Sequence, residues 1–257
     1  MNNNLDSFNE SATNKRLDIK SDPTLPDYVA KKTDNSGISA KVISYHDPLS
    51  SITENYRTIY THLKNTLLGS NDKILAITSA SDNEGKTVTA VNLAVVIARD
   101  FKKRVLLIDA NLRNPDIDEI LTLKNDEGLS GILTSGLDYK KVIQHTTINN
   151  LSVITAGREI QNQAELLHSN KLNQLFDAVR PDYDLIICDT PGIMSFSDTK
   201  IISSLADGIV LVIRSRKTRR EVVDRAEEIL KELHSQIFGY ILTDIEYHIP
   251  EFLYKYL

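Results

Sequence analysis

The sequence is poor in sulfur-containing residues and has no tryptophan: its 257 residues include one cysteine and two methionines. Because the single cysteine, Cys188, cannot form an internal disulfide, the chain is typical of a reducing compartment. No run approaches the roughly twenty consecutive apolar residues that a membrane-spanning helix needs, and residues 1–10 lack the apolar stretch of a signal peptide. The sequence therefore predicts a cytoplasmic protein, unless a partner holds it at a membrane.

An excess of charge of one sign is also missing. The 30 Lys and Arg residues and the 35 Asp and Glu residues give a formal net charge of -5. This balance gives no support for general electrostatic binding of nucleic acid or anionic lipid, and we expect no nucleic-acid partner. The histidines and the cysteine have none of the spacings of a zinc site, so we assign the histidines no chemistry.

Three segments differ in composition. Residues 1–44 are rich in Asn, Ser, Asp and Lys and have no apolar periodicity, which predicts a flexible leader. Residues 45–246 carry the apolar patterns of a folded domain, and residues 247–257 form a tail that contains three of the ten tyrosines. Early in the domain, apolar residues recur at spacings of three and four, which predicts an amphipathic helix. These residues are Ile52, Tyr56, Ile59, Leu63 and Leu67.

The rest of the domain alternates short apolar runs with helix-like stretches. Most of the runs are continuously apolar, as expected for strands that are covered on both faces. The pattern predicts a mostly parallel central sheet flanked by helices, an α/β fold. The candidate strands are residues 73–79, 104–110, 151–157, 184–190, 208–214 and 237–243.

A phosphate-binding loop follows the first candidate strand. The segment "ASDNEGKT" fits the pattern of such loops, with Ala80 in place of the first glycine, and a helical stretch follows it. Backbone N–H groups at the start of a helix bind phosphate oxygens, Lys86 would neutralise the β and γ phosphates, and the Thr87 hydroxyl would bind magnesium. In the alternative interpretation, Gly85 only permits a turn. The candidate nucleotide-binding residues are Ser81, Asp82, Asn83, Glu84, Gly85, Lys86 and Thr87.

Two aspartates each end an apolar run. Asp109 closes "VLLID" and Asp189 closes "LIICD". Because ligands of open parallel sheets bind beyond the carboxyl ends of the strands, we expect both carboxylates beside the phosphate site. A buried carboxylate needs a partner, and magnesium bound to phosphate oxygens is a natural one. In the alternative interpretation, each aspartate caps the helix that follows it.

These motifs carry a family resemblance. In this order, "TSASDNEGKT", "VLLIDANLRNP" and "LIICDTPG" resemble the Walker A, A′ and B motifs of bacterial tyrosine kinases, the cytoplasmic autokinases of capsule and exopolysaccharide export. The similarity extends over about residues 54–243. These kinases fall within the wider MinD/ParA class of P-loop ATPases. The resemblance implies that residues 45–246 are a P-loop tyrosine-kinase domain with ATP and Mg²⁺ as cofactors.

The resemblance also implies a role for individual residues. Lys86 and the loop amides would hold the ATP phosphates, and Thr87, Asp109 and Asp189 would bind Mg²⁺. Asp109 would accept the proton of the attacking tyrosine. Asn111 stands where the family has a second aspartate, and Arg113 matches the arginine of the A′ motif; we count both with Asp109 and Lys86 as candidate catalytic residues. An ordinary surface salt bridge is the alternative for Arg113.

Several positions depart from the family pattern. Ser81 fills the place where MinD and ParA proteins have a signature lysine, which disfavours a positioning ATPase. Asp82 and Asn83 replace Pro-Gly, although asparagine tolerates left-handed backbone angles. Thr243 replaces an asparagine near the adenine site. The "ExxRxxR" helix that packs subunits into a ring matches Glu54 and Arg57, with Tyr60 in place of the last arginine.

The implied function is protein-tyrosine autophosphorylation in trans, which regulates polysaccharide synthesis or export. Tyr254 and Tyr256 are the favoured acceptors, and Tyr247 lies closer to the body; an amphipathic tail that packs on a partner is the alternative. The expected partners are a membrane-embedded activator that recruits the chain to the plasma membrane, further copies of the chain and a cognate tyrosine phosphatase. Two other functions stay open: a nucleotide-binding regulatory scaffold without kinase activity, which Asn111 motivates, and a ParA/MinD-like positioning ATPase.

A basic run follows the fifth candidate strand. Positive charge at the start of a helix opposes the helix dipole, so an anionic partner could bind there. A solvated loop is the favoured interpretation. The run consists of Arg214, Arg216, Lys217, Arg219 and Arg220.

Overall fold

One sheet organises the part of the chain that the computed structural model describes, residues 16–17, 36–67, 73–168 and 170–245. Its strands are β1 (Arg16–Leu17), β2 (Ile74–Ser79), β3 (Val105–Asp109), β4 (Gln144–His145), β5 (Leu151–Ile154), β6 (Leu185–Asp189), β7 (Gly208–Arg214) and β8 (Ile237–Thr243). Their spatial order is β1-β8-β7-β2-β6-β3-β5-β4. All neighbours pair in parallel except β4 and β5.

The structure confirms the mostly parallel α/β sheet. Each of the six predicted strands is present. The short edge strands β1 and β4 were not predicted, because neither lies in an apolar run. The helices are α1 (Ile43–His46), α2 (Ser51–Leu67), α3 (Lys86–Asp100), α4 (Ile117–Leu121), α5 (Leu129–Ser135), α6 (Tyr139–Val142), α7 (Gln163–His168), α8 (Lys171–Val179), α9 (Ser197–Leu205) and α10 (Arg220–Glu232). None of them, within the described residues, combines the length and apolar character needed to cross a bilayer.

Helices cover both faces of the sheet. Every residue of β2, β3 and β6 is buried, which explains why these runs are continuously apolar and do not alternate. On one face, Leu63 of α2 and Leu93 of α3 pack with Leu107 of β3. On the other face, Leu129 of α5 and Phe176 of α8 belong to a second apolar cluster.

The predicted amphipathic helix is α2. Residue 60, the last position of the "ExxRxxR" pattern in this helix, belongs to the hydrophobic core. Tyr60, which stands in place of an arginine, is buried and packs edge-on against Phe101 with ring centroids 4.5 Å apart. Arg57 instead remains near the surface, where it pairs with Glu54 and Asp100 at 2.8 Å each. An aromatic ring at residue 60 therefore stabilises the contact between α2 and the end of α3.

The chain is packed from before residue 45. Ile38 and Val42 are buried in the core, and the Ser44 amide donates to Oδ1 of Asn92 at 2.9 Å. Asn92 in turn donates to the Lys41 carbonyl at 3.0 Å. Residues 36–44, which the sequence assigned to the leader, thus lie against α3, because the buried side-chain amide of Asn92 on that helix forms hydrogen bonds with their backbone. The rest of the predicted leader lies outside the described residues, apart from β1.

A half-buried ion pair stabilises the end of the sheet opposite the phosphate loop. Asp207 accepts two hydrogen bonds from Arg180, at 2.8 and 2.7 Å, and one each from the amides of Lys73 and Ile74 at 2.7 Å. Burial raises the pKa of Asp207, but the hydrogen bonds from Arg180 and the two amides outweigh it and hold the pKa below its ordinary value of 3.8. The ionised carboxylate therefore stabilises the start of β2.

Replacing Asp207 with asparagine is expected to lower the free energy of unfolding by about 2–3 kcal/mol, because Arg180 and two backbone amides lose a charged, half-buried acceptor. Since the folded-state pKa of Asp207 is lowered, its contribution is complete above pH 3.8 and is lost as the pH falls through the folded-state value. The two proteins should therefore differ in denaturant unfolding at pH 7, and the difference should shrink as the pH is lowered step by step below 3.8. A difference that stays equal across these pH values would contradict this account.

Candidate active site

The phosphate loop joins the central strand β2 to α3. Asn83 has φ 61° and Gly85 has φ 88°, so both adopt the left-handed conformation. Asparagine tolerates that region better than most residues, which explains how the loop is built without the family's Pro-Gly. The Thr89 amide donates to the Gly85 carbonyl at 2.9 Å and starts the helix. The amides before it are those that bind phosphate in such loops.

A second loop, which follows β6, packs directly against the phosphate loop. A Cβ atom added to Gly192 would lie 2.9 Å from the carbonyl carbon of Ser81, so the two backbones approach too closely for a side chain there. Asp82 ties the loops together: it accepts hydrogen bonds from the Gly192 amide at 3.2 Å and from the Ser195 hydroxyl at 2.8 Å. The two loops therefore form one packed unit.

Lys86 is buried and lines a cavity of about 830 Å³. Its side chain is 7% exposed, and its Nζ lies 3.9 Å from Oδ1 of Asp82. Thr87 lines the same cavity, and its hydroxyl donates to Oδ2 of Asp189 at 2.7 Å. An ammonium group held in such a pocket is suited to an anion, because little water competes for it.

The two aspartates that end the apolar runs are register partners on neighbouring strands, β3 and β6. Both are buried. Asp109 accepts hydrogen bonds from the amides of Asn111 at 3.1 Å, Asp116 at 3.3 Å and Ile117 at 3.2 Å. The last two amides begin α4, so the helix-capping interpretation of Asp109 describes part of its role.

Asp189 carries an unused acceptor. Its Oδ1 is buried and has no hydrogen-bond partner among the described residues. A buried carboxylate oxygen without a partner is costly, and a cation at this position would satisfy it. Together with the Thr87 hydroxyl and Asp109, the oxygen donors match the hard ligands that Mg²⁺ prefers.

Burial raises the pKa of both carboxyl groups. For Asp109, burial is the main cause and the charge of Asp189 adds to it, while the three amide hydrogen bonds oppose the rise. For Asp189, burial again raises the pKa, and the Thr87 hydroxyl and the Lys86 charge oppose it. A carboxylate with a raised pKa is a stronger proton acceptor, which is the property that a general base needs.

The A′ segment brings Asn111 and Arg113 to the rim of the cavity. Asn111 donates from Nδ2 to the Asn114 carbonyl at 2.8 Å and accepts from the Asn114 amide at 3.3 Å. Arg113 forms an ion pair, as the alternative interpretation expects, although the partner carboxylate is buried and does not lie on the surface. Arg113 pairs with Asp198, whose side chain is only 1% exposed.

The wall beyond the phosphate loop comes from α2 and the end of β8. Thr243, at the position of the family's asparagine, donates to the Glu84 carbonyl at 2.9 Å. Arg214 of the basic run pairs with Asp244 at 2.5 Å and donates to the Asn83 carbonyl at 3.3 Å, so this arginine is a structural part of the site. Ten further residues line the cavity without a site role predicted from the sequence, namely Lys41, Ile52, Tyr56, Val88, Thr89, Asn114, Asp116, Phe196, Leu242 and Asp244.

Their sequence patterns explain why these residues were missed. Ile52 and Tyr56 belong to the apolar stripe of α2, which predicts only core packing. Burial raises the pKa of Tyr56 to about 12, against a hydrogen bond with Thr89, so its hydroxyl stays protonated. For Phe196 and Asp198, the one available signal is their position just after the "DTPG" motif. The candidate acceptors Tyr247, Tyr254 and Tyr256 lie outside the described residues.

Comparison with known proteins gives concordant matches. A family model described as an AAA domain matches residues 72–240. The chain is 39% identical over 213 residues to the tyrosine-protein kinase YwqD of Bacillus subtilis, a match that covers 83% of this chain and 90% of YwqD. The solved kinase domain of the Escherichia coli tyrosine kinase ETK has a TM-score of 0.83 and 28% sequence identity, and the match covers 92% of this chain and 94% of that domain.

The wider fold class also matches. The septum site-determining protein MinD of Pyrococcus horikoshii, solved in complex with Mg-ADP, has a TM-score of 0.58 at 20% identity. The match covers 66% of this chain and 70% of MinD. At this level of identity the similarity concerns the fold alone.

Proposed function

The chain belongs to the bacterial tyrosine-protein kinases, and from this premise we propose that it is an ATP- and Mg²⁺-dependent autokinase that phosphorylates tyrosines in trans. The observation that carries the proposal is a connected group: Lys86 and Thr87 line one cavity, and the Thr87 hydroxyl donates to Asp189, the register partner of Asp109. Among them, the unpartnered Oδ1 of Asp189 is an acceptor with no structural use in the described chain.

ATP binding falls to the phosphate loop. Its amides and the start of α3 receive the phosphate oxygens, and Lys86 neutralises the β and γ phosphates. Thr87, Asp109 and Asp189 would hold Mg²⁺, which when bound supplies further charge neutralisation at the phosphates. We assign the adenine base of ATP to the part of the cavity wall that Ile52, Leu242 and Thr243 line.

Phosphoryl transfer then needs a nucleophile in line and an acceptor for its proton. The tyrosine oxygen forms a bond to the γ phosphorus, the bond from that phosphorus to the β–γ bridging oxygen breaks, and ADP leaves. The phenolic proton passes to the Asp109 carboxylate, whose raised pKa suits this role. Arg113 and Asn111 complete the proposed catalytic set at the rim.

The wider role follows from the family resemblance. We propose that the kinase regulates capsule or exopolysaccharide synthesis and export, that a membrane-embedded activator recruits it from the cytoplasm, and that a cognate phosphatase reverses the modification. Contact between copies of the chain delivers the acceptor tyrosines. Glu54 and Arg57 of α2 are the candidate contact residues, because the resemblance assigns this helix to subunit packing.

Coexpression with a membrane adaptor of a polysaccharide export system tests the proposal. In the presence of ATP and Mg²⁺, the protein is expected to gain phosphate on Tyr254 or Tyr256, because the family resemblance places the acceptor tyrosines in the C-terminal tail. Intact-mass measurement and phosphopeptide mapping detect it. A wild-type protein that binds ATP tightly yet gains no phosphate with its activator would instead support the regulatory scaffold.

A further inference from the structure

Arg113 is held from two sides. Its Nε donates to Oδ2 of Asp198 at 2.8 Å and its Nη2 donates to Oδ1 at 3.1 Å, a bidentate pair. Its guanidinium carbon lies 4.3 Å from the centre of the Phe196 ring. The carboxylate fixes the plane of the guanidinium, and the ring supports one face of it. A long side chain at a cavity rim is thereby held in one orientation.

The Asp198 carboxylate has Arg113 as its hydrogen-bond partner among the described residues. It lies in the first turn of α9, is buried, and accepts hydrogen bonds from Arg113 on both of its oxygens. A buried ion pair is weak evidence for stability, since desolvation offsets most of the attraction. Its consequence here is the orientation of Arg113.

The remaining nitrogen of the guanidinium is available to a ligand. Nε and Nη2 bond to Asp198, while Nη1 has no hydrogen-bond partner in the part of the chain that the structure describes. The Arg113 side chain is 32% exposed and lines the same cavity as Lys86 and Thr87. Nη1 therefore offers two N–H donors at the rim of the phosphate site.

We propose that Asp198 and Phe196 are positioning residues that hold Arg113 so that Nη1 donates to the γ-phosphoryl group during transfer. This inference rests on the proposed kinase function and adds two residues to its site. Arg113 supplies positive charge to the phosphoryl oxygens as the bond to ADP breaks. A donor that is oriented before the reaction avoids reorganisation at the transition state.

The test compares kinetics of four variants. Arg113→Lys keeps a cation beside Asp198 but removes the planar fork, and is expected to lower kcat about 100-fold with a KM for ATP within about 3-fold of wild type. Asp198→Asn is expected to lower kcat about 10-fold, and Phe196→Leu about 3-fold. Because Asp198 acts through Arg113, the double variant Arg113→Lys/Asp198→Asn should stay within about 2-fold of Arg113→Lys.

A matched control exists elsewhere in the fold. Arg180 makes the same bidentate contact with Asp207, its side chain is 30% exposed, and it lies at the opposite end of the sheet. Arg180→Lys is expected to lower the melting temperature and leave kcat unchanged. If it lowers kcat as much as Arg113→Lys does, the effects are structural and the inference is wrong.

Binding of ADP with aluminium fluoride, which mimics the transferred phosphoryl group, separates this inference from the kinase proposal. Arg113→Lys and Asp198→Asn should weaken binding of ADP–aluminium fluoride by about 10-fold or more and leave ADP binding unchanged. If these variants bind ADP–aluminium fluoride more weakly but the wild-type protein forms no phosphotyrosine, the kinase function is overturned and the role of Arg113 at the phosphoryl group is kept. Unchanged affinity for both ligands, or additive losses of kcat in the double variant, would overturn the positioning role.

Discussion

Replacing Lys86 with methionine is expected to lower tyrosine phosphorylation about 1,000-fold, because the γ-phosphoryl group loses the buried charge that faces it. The Lys86 side chain is 7% exposed, so the charge acts in a cavity from which most water is excluded. Methionine has a similar length and is apolar, and replacing a buried ion with such a side chain is often neutral for stability. The measurement is phosphate incorporation per minute with saturating ATP and Mg²⁺.

Lys103→Met is the control for this prediction. Lys103 is exposed beyond the end of α3, so loss of its charge should leave phosphorylation unchanged. Thermal unfolding of both variants shows whether the fold is retained. If Lys86→Met loses less than about 10-fold in rate while it remains folded, the phosphate loop is not the site of phosphoryl transfer.

Asp109→Asn has the second large effect, an expected fall of about 1,000-fold in phosphorylation rate. The amide cannot accept the tyrosine proton, and it removes one of the two carboxylates that would hold Mg²⁺. The thermal stability of the variant, in contrast, is not expected to decrease. Asp109 and Asp189 are buried register partners of like charge, so the variant removes a repulsion and its melting temperature without Mg²⁺ should not fall.

Asp182→Asn provides the comparison, because Asp182 is exposed on the loop before β6. Phosphorylation and melting temperature are measured side by side for both variants. An Asp109→Asn protein that unfolds at much lower temperature would mean that the amide hydrogen bonds at Asp109 matter more than its charge. Retained phosphorylation would assign the proton acceptor to another group.

The sequence predicts the sheet and the centre of the site for the same reason. Continuous apolar runs are a local signal of strands buried on both faces, and an aspartate that ends such a run is carried to the ligand-binding edge of the sheet. The phosphate loop is equally local, since Gly85, Lys86 and Thr87 are consecutive. These features need no knowledge of which distant segments meet.

The parts that the sequence does not predict depend on distant pairs. Arg113 and Asp198 are 85 residues apart, and Asp207 accepts from the amide of Lys73, just before β2, across 134 residues. The polar composition of residues 36–44 suggests a leader, but a few buried side chains and the amide of Asn92 are enough to hold that segment. In a single sequence, each of these partners looks like an ordinary surface residue.

The packing of the phosphate loop against the loop after β6 links two binding events. Asp82 holds the Gly192 amide and the Ser195 hydroxyl, and Ser195 is the neighbour of Phe196, which supports Arg113. If bound nucleotide restrains the first loop, it therefore also restrains the rim that carries Phe196 and Arg113. Thermodynamic reciprocity would then require an acceptor tyrosine bound at that rim to tighten nucleotide binding by the same factor. Occupation of the rim would thus retain nucleotide for transfer, and an empty rim would let it exchange.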